Sequence, residues 1–346
     1  MRMAAALALM TLLQAGTVEA QATVIAASGK VSIRRDGWSG WLPARFGTAV
    51  GTGDLLHTGP GSSVAVLCPD LTRGTLDADE TSGAPCTVAR TPVRAEGGVL
   101  LAPLRSGHVE AEHALTLLGP RWTRVEDARP TIRWAAPPAV TEVQVTVRGV
   151  GVEWSTKVKG ASLVYPANAP RLIPGRQYSV LITAGSLSST RDGEGWPVFE
   201  VVAPEQLAEI RRQVAKVRAL SPSTEQKTFL EGHLLAARGL RAAAIDRLQP
   251  IAPGSAEPVI HRLLAHTYQN VGLDRLAIDS YRAAAARSAA LGDLDGEAQA
   301  AAALGELCQR SKRCAKGEAQ GHLRRALAIY EQIGAKDELT RLRRLR

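Results

Sequence analysis

The sequence predicts a multidomain protein, β then α: an all-β unit over residues 21–118, a β-sandwich over 119–203 and α-helical repeats over 204–346. Three observations carry this. Short runs such as Val31-Ser32-Ile33 and Val64-Ala65-Val66-Leu67 stand between glycine-rich turns, the pattern of strands. From Pro204 the apolar period lengthens to about three and a half, and alanine and leucine take over. Gly239-Leu240, Ala244-Ile245 and Leu248 then recur as Gly272-Leu273, Ala277-Ile278 and Tyr281, an offset of 33 residues that marks a repeated helix pair.

At the N-terminus a basic Arg2 precedes an apolar stretch, Met3 to Leu13, too short to cross a bilayer and followed by small residues near Ala20. This order predicts a cleavable secretory signal peptide over residues 1–20. Val18-Glu19-Ala20 before Gln21 is the preferred processing point, and Ala20-Gln21-Ala22 before Thr23 also fits. No cysteine follows the stretch, so no lipoprotein anchor is expected, and no later segment reads as a membrane span. The expected location is periplasmic or secreted.

In the first unit the strand candidates are Thr23-Val24-Ile25, Val31-Ser32-Ile33, Leu55-Leu56-His57 and Val64 to Leu67. Glycines within residues 46–70 permit tight turns, and Asp54 is placed to cap one with a structural hydrogen bond. The run Gly53-Asp54-Leu55-Leu56-His57-Thr58-Gly59, after Gly29-Lys30-Val31 and the Trp38 and Trp41 pair, resembles the FecR domain. The likeness weakens beyond Cys68, where Thr72 to Thr91 reads as loop. FecR-domain proteins include periplasmic sensors that relay an outer-membrane signal to a sigma factor. That arrangement puts a cytoplasmic segment and a membrane helix ahead of the β domain, where this chain has its signal peptide; a signalling component is therefore the alternative reading.

The second unit offers strands at Thr131 to Trp134, Val143 to Val147, Val152 to Ser155, Ser162 to Tyr165, Tyr178 to Thr183 and Val198 to Val202, at sandwich spacing. Arg129-Pro130-Thr131-Ile132-Arg133-Trp134, with Leu163-Val164-Tyr165-Pro166 and Leu172 to Tyr178 downstream, looks like the immunoglobulin or fibronectin type III modules of exported bacterial proteins. Trp134, Trp154 and Tyr178 are expected between its sheets.

In the helical part a third copy of the repeat stands at Ala326-Leu327 and Tyr330, delayed by an insertion that holds Cys308 and Cys314. The pattern resembles tetratricopeptide repeats, without their usual tryptophan and late proline. The resemblance implies a concave groove for a protein or peptide partner, with Lys227, His233, Arg262 and Gln269 on the first helices as candidate binding residues.

The four cysteines form two local pairs, Cys68 with Cys86 and Cys308 with Cys314, and export favours a disulfide in each; neither has the short spacing of a zinc site. The net charge is +9, and from Glu205 onward 23 Lys and Arg face 16 Asp and Glu. Such a field attracts anionic cell-wall polymer, lipid headgroups or an acidic partner, or simply solubilises a surface with a frayed arginine tail. Nucleic acid is not expected, because no binding motif or interleaved aromatic platform accompanies the charge. Composition is ordinary for a globular chain, 45% hydrophobic and 22% charged. No Gly-x-Ser-x-Gly elbow, His-Glu-x-x-His helix or phosphate loop is present, and the seven histidines, His108 and His113 among them, are scattered. The reading is a non-enzymatic scaffold of the bacterial envelope without cofactor or metal, binding through the helices and through cell-wall polymer at the β units, with a wall-associated accessory as a further alternative.

Overall fold

The computed structural model describes residues 21–86, 115–190, 195–220 and 223–345, so the candidate signal peptide, His108 and His113 lie outside the described residues. The first unit contains β1 (Ala22–Ser28), β2 (Val31–Arg34), β3 (Leu42–Pro43), β4 (Ala49–Val50), β5 (Leu55–Thr58), β6 (Ser63–Leu67), β7 (Arg73–Leu76) and β8 (Thr81–Ser82). They form two antiparallel sheets, ordered β4-β1-β6-β7 and β3-β2-β5-β8. Val24, Val64 and Val66 of the first meet Ile33 and Leu56 of the second in one core. Ile25, Ala65 and Leu67 face the other way and are buried against helices. Covering on both faces is the reason Val64 to Leu67 is apolar without alternation.

The stretch expected as loop, Thr72 to Thr91, instead contributes β7 and β8 before the described residues stop at Cys86. Its strand signature is weak because of a close approach. A Cβ on Gly74 would stand 2.0 Å from the Pro85 carbonyl oxygen. The Cys68–Cys86 disulfide fastens that segment back onto the sheet.

The second unit contains β9 (Thr116–Gly119), β10 (Thr123–Val125), β11 (Thr131–Ala135), β12 (Glu142–Gly149), β13 (Val152–Lys159), β14 (Ser162–Val164), β15 (Gln177–Ala184), β16 (Leu187–Ser188) and β17 (Val198–Val201). One sheet runs β10-β17-β15-β12-β13 with β16 on β15; the other runs β14-β11-β9. Strand β9 straddles the expected boundary at residue 118 and pairs with β11, so Leu115 and Leu117 belong to this core. Trp134 and Tyr178 are fully buried between the sheets. Trp154, on the edge strand β13, is half-buried and lies edge-on to Tyr165 at 5.1 Å.

The helices are α1 (Pro204–Leu220), α2 (Thr224–Ala237), α3 (Arg241–Leu248), α4 (Pro258–Asn270), α5 (Asp274–Ala290), α6 (Leu294–Ser311), α7 (Glu318–Ile333) and α8 (Lys336–Arg343). Gly239 and Gly272, at φ +78° and +73°, reverse the chain between α2 and α3 and between α4 and α5, a backbone state that costs glycine little. Ala244, Ile245 and Leu248, then Ala277, Ile278 and Tyr281, then Ala326, Leu327 and Tyr330 are all buried on α3, α5 and α7. Two of the C-terminal arginines are tied down by ion pairs. Arg341 of α8 bonds Glu306 and Glu338, and Arg343 bonds Glu331.

Polar clasps join the three parts. Arg35 donates from Nη1 to Asp54 and from Nη2 to Asp295 at the start of α6, each at 2.7 Å. Asp54 also accepts from the backbone N–H of Asp36 and Gly51, so the acid of the Gly-Asp turn holds both its own loop and the helices. In the second unit the backbone N–H of Arg124 donates to the Gly239 carbonyl at 2.8 Å, and the Arg124 guanidinium bonds Glu200 and Gln206.

Candidate functional site

Helices α2, α4 and α6 are the first members of three successive pairs and neighbour one another. Where the second helix of a pair crosses, the first carries a small residue. A Cβ on Gly232 would meet Leu248 at 2.7 Å, and one on Gly305 would meet Leu323 at 2.7 Å; Ala265 stands at the corresponding place on α4 and is buried. The residue after each small one turns off that contact. These residues are His233, His266 and Glu306.

Water reaches both imidazoles. Desolvation by the neighbouring protein nevertheless pushes both below the ordinary histidine range; His266 lowers His233 further, and Arg241 lowers His266. Both side chains stand at the same position of successive helix pairs and are exposed to solvent. Phe229 borders His233, with ring centroids 6.1 Å apart, and itself meets Phe46 of the first β unit edge-on at 5.2 Å. On the second unit's side, Arg241 donates to the Trp122 carbonyl at 2.6 Å. In the third pair the equivalent Glu306 is bonded to Arg341, so α8 neutralises that end of the row.

The four residues expected to line a groove have different fates. His233 is exposed on α2 beside Phe229. Lys227 is half-buried near the start of α2. Arg262 lines a small crevice with Arg35, Gly47, Asp293 and Asp295, facing the first β unit. Gln269 accepts a hydrogen bond from the Tyr281 hydroxyl at 3.0 Å, and burial pushes that phenol's pKa upward. His266, the partner of His233, was not among the residues chosen from the sequence. The signal for it was present, because it repeats His233 at the same 33-residue offset as Gly239 and Gly272.

Cys308, Cys314 and Glu318 place ligating atoms within 4.8 Å of one another. The two sulfurs are bonded to each other, however, and offer no thiolate to a metal. The Cys308–Cys314 bridge instead fixes the end of α6 to the loop before α7.

No protein-family model matches the chain, and no curated protein is detectably similar to it. Solved structures with a local likeness include residues 41 to the end of MamA from Desulfovibrio magneticus RS-1, at 17% identity and a TM-score of 0.30, covering 37% of this chain and 70% of that one. A second MamA crystal structure has 18% identity and a TM-score of 0.29, with 40% and 86% covered. At these scores the superposition is loose.

Proposed function

We propose that the chain is an exported, non-enzymatic scaffold of the bacterial envelope that holds a protein or peptide partner along α2 and α4. The observation that carries this reading is a row of exposed imidazoles, His233 and His266, presented at one position of successive helix pairs, with Phe229 against His233. Stacked helix pairs bury one face against neighbours and leave such a concave row for a ligand. With pKa values lowered, each ring is neutral at pH 7 and offers one donor and one acceptor nitrogen, which suits the polar backbone of a peptide.

Export is supported by two disulfides, which persist in oxidising compartments, and by the Arg2-led apolar stretch of residues 1–20. The paired four-stranded sheets around the Gly53-to-Gly59 turn support a FecR-like first unit. The six-on-three sandwich supports an immunoglobulin-like second unit, and the 33-residue helix pairs support tetratricopeptide-like repeats. The work of the molecule is recognition. Buried ionic groups that meet, such as Arg35 with Asp54 and Asp295, serve as joints between elements.

The test compares capture of partners from an envelope extract by the intact chain and by a His233→Glu/His266→Glu variant with an unchanged circular dichroism spectrum. The variant should lose the species the wild type retains. Equal capture by both would remove this histidine row from consideration as the binding surface.

A further inference from the structure

A second concavity, of about 900 Å³, opens between the β1–β2 turn, β3 and the first turn of α2. Its volume falls in the range of small-molecule clefts, and it is open to solvent. Trp41 lines it and is 40% exposed, an uncommon state for so large an apolar surface. The indole is held by its neighbours: the Arg34 guanidinium lies 5.1 Å from the ring centroid, and the His57 ring lies 5.7 Å away. His57 is fixed in turn through Nδ1, 2.9 Å from the Thr81 hydroxyl. The other charged residues on the lining are Lys30 and Arg45, both exposed, and no carboxylate lines the cleft among the described residues. Arg45 lines both this cleft and the neighbouring crevice at Glu257, and its guanidinium donates to the Leu291 carbonyl at 3.0 Å. Ser32 and Gln226 add uncharged hydrogen-bonding groups.

We propose that this cleft binds an acidic oligosaccharide, one sugar ring packed on Trp41 and its carboxylates held by Lys30 and Arg45. A preoriented flat apolar surface beside cations and neutral polar groups matches a ring that is apolar on its face, hydroxylated at its rim and negatively charged. An extended acidic peptide fits less well. It would dock by adding a strand, but β1, β2 and β5 are each paired on both sides, and the free edge at the cleft is β3, two residues long with Pro43 as one of them. A single-stranded nucleic acid would need successive stacking platforms. The other aromatic six-membered ring of the lining, Phe46, is already engaged by Phe229. The site goes beyond the helical groove and does not depend on it.

Calorimetric titration of the whole chain with tetragalacturonate, cellotetraose and tetraglutamate tests the proposal. Tetragalacturonate should bind, and more weakly as salt rises, while the neutral sugar binds far less tightly. Trp41→Ala should weaken binding by roughly tenfold or more, Trp41→Phe by less, and Lys30→Ala/Arg45→Ala should weaken it and flatten the salt dependence. Each variant is checked for an unchanged circular dichroism spectrum, and His233→Glu/His266→Glu should leave this affinity intact, which separates the two sites. The proposal falls if no charged sugar binds at millimolar concentration, or if Trp41→Ala binds as well as wild type. Binding of tetraglutamate as tight as that of the sugar would instead assign the cleft to an acidic protein.

Discussion

A histidine desolvated by the protein around it resists protonation, and at His233 and His266 that resistance enters stability. Both folded-state pKa values lie below the value of about 6.5 that the unfolded chain has. Above that pH neither state is protonated and the rings cost nothing. As pH falls through it, the unfolded chain takes up protons that the folded chain resists, so stability is lost on the acid side. Asp274 and Glu257, raised chiefly by burial, act in the opposite sense, because their folded forms hold protons more tightly. A comparison isolates the imidazoles. Urea midpoints for wild type should drop more steeply between about pH 6.5 and 5 than those of a His233→Asn/His266→Asn variant. Parallel curves would mean that the rings are solvated like surface histidines.

At the scale of the element, the two disulfides close loops of different length, with separations of 18 and 6 residues. Loop-closure entropy assigns about 3 kcal/mol to Cys68–Cys86 and about 2 kcal/mol to Cys308–Cys314. Double alanine variants, unfolded in urea, should show losses in that order; a reversed order would indicate that residual structure in the denatured chain dominates. The elements themselves were legible in the sequence to an uneven degree. Strands with their own apolar signature, such as Val31 to Ile33 or Val143 to Val147, were plain, and the Gly239 and Gly272 spacing gave the helix pairs. Strand β7 was not legible, because Gly74 serves the approach of Pro85 and lowers local strand preference. The seam between the first sheet and the helices was hidden for a different reason. Ala65 and Leu67 say that both faces of β6 are covered, but not by what. The cleft at Trp41 was hidden likewise: the sequence supplied the tryptophan, and only the fold brings Lys30, Arg45 and His57 around it.

At the scale of the whole molecule, that seam decides how the chain unfolds. Ile25, Ala65 and Leu67 lie in one apolar cluster with Phe229, Leu230 and Ile260, and Arg35 bridges Asp54 to Asp295 across the same junction. A chain ending at Ala203 would expose those side chains together, so the first unit is poorly suited to exist without its helices. The sequence also supplies a clean pair of probes. All six tryptophans, at positions 38, 41, 122, 134, 154 and 196, precede Pro204, whereas every α-helix among the described residues begins at Pro204 or after it. Leu56→Ala touches only the core of the first sandwich, where Leu56 is fully buried, and should cost about 2–5 kcal/mol there. In a molecule joined at the seam, the loss is shared: tryptophan fluorescence and ellipticity at 222 nm should move to lower urea together and remain superimposable. A shift in fluorescence with the ellipticity left in place would show that the units fold independently and that the seam is too weak to couple them.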